Sequence, residues 1–287
     1  MKIKTAVFPV AGFGTRMLPA TKAIPKEMIT LIDKPIIQYA VEEAIDSGVE
    51  KIIFITGRTK KALEDHFDIN VELNSLLERT GKTELLADMK RISEMADVIH
   101  VRQKYMLGLG NAINCVRDIV KDEPFAVILP DDIILADKPV TGQLIEQFNK
   151  VNRPIVSLMK VAAGETSKYG IVEIKEKIDD RFSRINNMVE KPASNPPSDM
   201  AIIGRYILTS EVMDALNKIE KGAGGEMQLT DALQYAARYF DVYGYEFEGK
   251  RFDCGTKAGL LQAAIHFAAK DAELKDILRQ TVGSLNL

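Results

Sequence analysis

Two glycines, one arginine and two lysines crowd the first loop of this chain. Apolar residues run from Ala6 to Val10; Ala11-Gly12-Phe13-Gly14-Thr15-Arg16 follows, with Lys22 and Lys26 close behind. Glycines after a strand bring backbone N–H groups close to a ligand, because no Cβ stands in the way. Successive N–H groups in such a loop form a concave anion site. In open α/β sheets, ligands sit beyond the carboxyl ends of the strands. One cation about 4 Å from a phosphate contributes roughly 4 kcal/mol at an effective dielectric of about 20. Arg16, Lys22 and Lys26 together therefore suit a polyphosphate. A glycine turn with basic neighbours also reads as an ordinary solvated loop, and the loop alone leaves both open. The P-loop pattern G-x-x-x-x-G-K-[ST] is absent. So is the dinucleotide fingerprint G-x-G-x-x-G, because Met17 stands at its third glycine.

Carboxylates supply the complementary chemistry. Asp131 and Asp132 follow Pro130 directly after the apolar run Phe125–Leu129, which puts Asp131 at a strand's carboxyl end. An Asp after Pro also serves as a turn residue or helix cap. Asp253 lies in Arg251-Phe-Asp-Cys-Gly-Thr256. His66, His100 and His266 are scattered without metal-ligand spacing. Cys254 reads as a small buried residue, and Cys115 as part of the apolar face of a helix.

The elements that must carry these groups alternate between strand and helix. Lys4–Val10 reads as a buried strand. Pro35 then sits in the first turn of a helix whose apolar stripe is Ile36, Ile37, Ala40, Val41, Ala44 and Ile45, with Gly48 ending it. Lys51–Thr56 is the next strand, and this β-loop-α-β opening predicts right-handed parallel crossovers. Residues 59–96 read as a helical insertion with solvated charged faces. Further strands are expected at 97–101, 125–129, 154–161, 170–174, 185–190 and 201–208. Helices are expected at 108–120, 140–152 and from Thr256 to the end. Ser194-Asn-Pro-Pro-Ser198 and Gly222-Ala-Gly-Gly225 are loops. The expected fold is α/β: a Rossmann-like mixed, mostly parallel sheet flanked by helices, in one domain spanning 1–287, with the insertion and a helical C-terminal appendage.

The chain has 287 residues, 46% hydrophobic and 28% charged, with net charge −3. That is a globular composition, and it lacks the basic excess of a nucleic-acid binder. Any anion site must be a local cluster. Two cysteines in a chain of this length imply reduced thiols and a cytoplasmic protein. The first apolar run is too short for a signal sequence, and no apolar stretch is long enough to span a membrane.

The loop is more specific than its glycines. Ala11–Arg16, Leu18-Pro19, Thr21-Lys22, Pro25-Lys-Glu-Met28 and Asp33-Lys-Pro35 together resemble the sugar-nucleotide pyrophosphorylases. The likeness continues through Gln103 with Gly108–Ala112, Leu129–Asp132, Tyr169-Gly170, Glu190-Lys-Pro192, Gly225–Asp231 and Arg251–Thr256. The resemblance implies a Mg²⁺-dependent nucleotidyl transfer, with UTP and glucose-1-phosphate as substrates and a homo-oligomer, dimer or tetramer, as the working state. Within it Arg16 and Lys26 hold the triphosphate and stabilise the departing pyrophosphate, with Lys22 as an auxiliary cation. Asp131 and Asp253 match the Mg²⁺ ligands, a donor set that suits magnesium with phosphate oxygens and water; Asp132 supports the loop. Glu190 accepts from sugar hydroxyls, Lys191 contacts the sugar phosphate, and Gly170 brings its backbone near the sugar. Ala11, Gly12, Gly14, Gln103 and Gly108 form the nucleotide side. The amide of Gln103 complements a base bearing both N–H and carbonyls. Glu27 supports the base or ribose.

Three alternatives compete. The same chemistry with dTTP or another hexose phosphate is the nearest; the Val10-Ala11-Gly12 start, in place of a double glycine, favours UTP. A nicotinamide-dependent oxidoreductase is opposed by the missing third glycine. A non-catalytic sugar-nucleotide sensor is opposed by the retained cations and carboxylates.

Overall fold

The computed structural model describes residues 2–285. Four strands follow the expected opening: β1 (Thr5–Pro9), β2 (Lys51–Thr56), β3 (Asp97–Arg102) and β4 (Phe125–Ile128). They pair in parallel in the order β3-β2-β1-β4. β2 reads Lys-Ile-Ile-Phe-Ile-Thr and buries every residue after Lys51. Such continuous apolar runs mark strands covered on both faces. One face packs Phe8 and Phe54 against Ile37, Ala40, Val41 and Ala44 of α1 (Ile36–Asp46). The other packs Val7, Ile53 and Ile55 against Ile113 and Val116.

Pro35 is one position outside the helix it was expected to join. Its extended backbone (φ −61°, ψ 145°) makes it the cap, and α1 begins at Ile36. The insertion is three helices: α2 (Lys61–His66), α3 (Val71–Arg79) and α4 (Thr83–Glu94). Each buries a single residue, Leu63, Leu77 and Ile92, as a surface hairpin does. The expected helix at 108–120 is split into α5 (Leu109–Asn114) and α6 (Arg117–Val120).

Past β4 the chain adds β5 (Asp132–Leu135), α7 (Val140–Val151), β6 (Ile155–Lys160), β7 (Gly170–Lys177), β8 (Phe182–Glu190) and β9 (Met200–Leu208). It continues with α8 (Ser210–Leu216), α9 (Leu229–Ala236), β10 (Tyr243–Glu246), β11 (Lys250–Asp253), α10 (Lys257–Lys270) and α11 (Leu274–Ser284). The main sheet has nine strands in the order β3-β2-β1-β4-β9-β6-β10-β8-β7. It is mixed, but less parallel than expected. β9 runs antiparallel to β4, β6 and β7, and β8 antiparallel to β7 and β10; β10–β6 is the parallel exception. Connectivity accounts for part of this: a short link without a helix joins β7 to β8 and reverses the chain there. The C-terminal appendage is helical through Ser284; residues 286 and 287 of the expected tail lie outside the described residues.

β5 and β11 pair antiparallel as a separate small ladder, with Asp132 opposite Asp253. Ile133, Phe252 and Cys254 pack beneath it with Leu31, Ile36 and Ala263 of α10. This third core brings the Asp131 and Asp253 segments together beside the first loop.

Candidate active site

β1 delivers the first loop at its carboxyl end, where Val10 N–H still donates to Ile55 O at 3.0 Å. Three one-turn helices then coil the loop back on itself: Thr15–Met17, Ala20–Lys22 and Lys26–Met28. Gly14 makes the coil possible. Its φ is 66°, and a Cβ there would stand 2.8 Å from Lys26 Cβ. The Thr21 hydroxyl donates to Gly14 O at 2.8 Å. Lys26 is thereby aimed across the cleft, and its ammonium donates to Asp131 Oδ2 at 2.5 Å. Arg16 approaches the same oxygen at 3.8 Å and Asp253 Oδ2 at 3.8 Å. Two cations and two carboxylates thus meet where β4, β11 and the loop converge. Gly255 lies within the cluster: a Cβ there would be 2.8 Å from Arg16 Nη2 and 2.9 Å from Asp131 Oδ2.

Asp132 turns away from this cluster. Its Oδ1 accepts from Arg251 Nε at 2.6 Å and its Oδ2 from Gly204 N–H at 3.1 Å. Both oxygens are committed to the fold, which leaves Asp131 as the carboxylate of the doublet facing the cleft. The backbone agrees, since Cys254 N–H donates to Asp131 O at 2.8 Å and ties β11 to the turn.

Burial presses the Asp131 carboxyl upward. The charge and hydrogen bond of Lys26, with Arg16 behind them, outweigh that and hold it below the ordinary carboxylate value. Burial likewise pulls Lys26 down, but Asp131 and Glu27 more than compensate, and its ammonium sits above the ordinary lysine value. Burial with the surrounding carboxylates pushes the Cys254 thiol up to about 12, which disfavours the nucleophilic thiolate.

A cavity of about 890 Å³ opens beside the cluster, lined by Arg16, Asp131, Asp253, Gly170, Glu190 and Lys191 among others. Glu190 closes β8. Its Oε2 accepts from the Thr230 hydroxyl at 2.6 Å, and its Oε1 lies 3.2 Å from Lys191 Nζ. Gly170 must be glycine here, because a Cβ would sit 2.9 Å from Thr230 Oγ1 and 3.1 Å from Glu190 Oε2. Lys191 adopts φ 44°, an uncommon left-handed conformation for a side-chain-bearing residue, as the chain leaves the strand.

A second cavity of about 230 Å³ adjoins the first; Leu109 and Glu226 line both. Its walls include Ala11, Gly12, Gln103 and Gly108. Gln103 Nε2 donates to Asn111 Oδ1 at 2.9 Å, which fixes the amide. Gly108 has φ 98°, and a Cβ would strike Met227 O at 2.6 Å, so the turn packs tightly on the α9 approach.

Four sequence-predicted residues line neither cavity; of these, Lys26 still reaches the wall of the larger one through Asp131. Gly14 shapes the loop instead. Lys22 is exposed on the loop's outer side. Glu27, expected to support the base or ribose, is 1% exposed, and its Oε2 accepts from Lys60 Nζ at 2.7 Å. It underpins the loop because the last one-turn helix points it inward while Lys26 points out. Sequence reasoning passed over Gly255, Thr230, Arg251 and Lys60. The first three lie inside quoted motifs, which was the available signal; Lys60 lies in none.

The metal expectation meets a modest donor set. Among the described residues no group of three or more His, Cys, Asp or Glu is placed to hold a metal. Asp131 and Asp253 do converge, their Oδ2 atoms both within 3.8 Å of one guanidinium. Two carboxylates around a position already taken by positive charge fit a magnesium ion completed by phosphate oxygens and water.

The family model for nucleotidyl transferases matches residues 6–270. The chain is 47% identical to the UTP–glucose-1-phosphate uridylyltransferase of Bacillus subtilis, over 96% of this chain and 95% of the relative. A solved UDP-glucose pyrophosphorylase in complex with UDP-glucose superposes with a TM-score of 0.86 at 41% identity, over 94% of this chain and all of the other. A UTP-bound enzyme from Acinetobacter baumannii gives 0.90 at 36% identity, over 99% and 100%. The loop, the carboxylate pair and the two joined cavities form the candidate site of a chain that belongs to the nucleotidyl transferase family.

Proposed function

We propose that this chain is a UTP–glucose-1-phosphate uridylyltransferase. The observation that carries this is the adjacency of two unlike cavities with the charged cluster on the wall of the larger one. The smaller takes uracil against Ala11, Gly12 and Gln103. The larger takes glucose, its hydroxyls on Glu190 and its phosphate on Lys191. A phosphate oxygen of glucose-1-phosphate attacks the α-phosphorus of UTP. The new P–O bond forms as the bond to the bridging oxygen of the β-phosphate breaks, and pyrophosphate leaves. Positioning and charge stabilisation dominate such transfers. Arg16 and Lys26 take the charge that builds on the departing pyrophosphate, while Lys191 offsets that of the incoming sugar phosphate. Asp131 and Asp253 would hold Mg²⁺, which when bound neutralises phosphoryl oxygens.

The whole chain acts as one domain in the cytoplasm. A dimer or tetramer is part of the same reading, with exposed Leu261, Ile277 and Val282 of α10 and α11 offering apolar surface. Pyrophosphate release with a panel of nucleoside triphosphates and sugar phosphates, with and without magnesium, tests the assignment. The expected result is the highest kcat/KM with UTP and glucose-1-phosphate; a strong preference for dTTP would make the nucleotide wrong.

A further inference from the structure

Arg205 of β9 is among the largest fully buried side chains, at 1% exposure, and it touches neither cavity. Its guanidinium carries five N–H groups, and five hydrogen bonds use them. Nε donates to Glu43 Oε1 at 2.9 Å and Nη2 to Glu43 Oε2 at 2.6 Å. Nη1 donates to Leu129 O at 3.1 Å and Gly204 O at 3.0 Å, and Nη2 also to Asp132 O at 2.8 Å. Two of these acceptors, Leu129 O and Asp132 O, bracket the dipeptide Pro130-Asp131. Pro130 has no N–H with which to anchor itself. Glu43 on α1 is fixed in turn, accepting from Thr141 N–H at 3.0 Å and Thr141 Oγ1 at 2.7 Å at the start of α7.

Resting on the uridylyl-transfer function proposed above, we infer that Arg205, held by Glu43, is a positioning residue that clamps the turn carrying Asp131 and so sets where that carboxylate meets Lys26 and the phosphates. A planar fork can reach both carbonyls and the carboxylate at once; a lysine ammonium at the same place cannot. The clamp works from behind the site, joining the catalytic turn to α1 and α7 through one side chain.

The test compares the intact wild-type protein with Arg205→Lys by hydrogen exchange and steady-state kinetics. Ile185→Ala in β8, a core truncation several strands away in the sheet order, is the control for general destabilisation. Arg205→Lys is expected to lose amide protection over residues 129–132 selectively. Its kcat is expected to fall by about a hundredfold, as slight misplacement of a reacting group does, with KM for glucose-1-phosphate unchanged. Ile185→Ala should leave that local protection and kcat in place. If Arg205→Lys fails to fold, Glu43→Gln is expected to show the same pattern more weakly. Unchanged protection and kcat in the folded variant would overturn the inference, as would equal losses in Ile185→Ala. Absence of uridylyl transfer in the wild type would instead sink the proposed function, and selective loss of protection over 129–132 would still support the clamp.

Discussion

At the residue scale, Lys26 carries the most. Its ammonium donates directly to Asp131 in the cleft, and Asp131 and Glu27 hold it charged. A donor already in place where charge develops costs no reorganisation during reaction. Lys26→Ala is therefore expected to lower kcat by about a hundredfold to a thousandfold, with KM for glucose-1-phosphate little moved; steady-state rates check this, and normal turnover would remove Lys26 from the role. Arg16, Lys26, Asp131 and Asp253 were legible in the sequence because they sit in short, ordered motifs, and the fold gathers them. The burial of Glu27 was not legible, for a physical reason. In a one-turn helix, neighbours point about 120° apart, and no local pattern tells which of two adjacent charged residues faces the cleft. Arg205 was illegible because its meaning lies in carbonyls far away in the chain.

At the element scale, the buried Glu27–Lys60 pair ties the first loop to the start of α2. Both side chains are almost wholly buried, and burial pushes Glu27 up and Lys60 down from their ordinary values. Removing one partner strands the other charge, whereas replacing both with apolar groups of similar size is often neutral. Lys60→Met is thus expected to destabilise the fold by about 3–5 kcal/mol, and the double variant Glu27→Leu/Lys60→Met to recover most of the loss. Chemical denaturation of the three proteins measures it; additive losses would show that the pair is not coupled. The strands of the parallel half were legible from their continuous apolar runs. The β5–β11 ladder was not, since each strand has four residues and its polar ends belong to the site. α8 and α9 were also missed, because their burial against α5 and the sheet depends on tertiary neighbours.

At the scale of the whole molecule, a chain of net charge −3 has no overall pull on polyanions, so Arg16, Lys26 and Lys191 must act as a local cluster. The parallel half supplies the loop and the smaller cavity, the antiparallel half supplies Glu190 and Lys191, and the small ladder holds the carboxylates between them. Among the described residues no helix is long and apolar enough to cross a membrane. Sequence periodicity could show that the first half would be parallel; it could not show that β9 would enter the sheet antiparallel to β4, β6 and β7. A crystal structure with UTP bound tests the central claim most directly. Uracil is expected beside Ala11, Gly12 and Gln103, with the triphosphate running past Arg16 and Lys26 toward Asp131. Phosphate density lodged away from Arg16 and Asp131, such as in the separate cavity near Lys138 and Glu146, would contradict it.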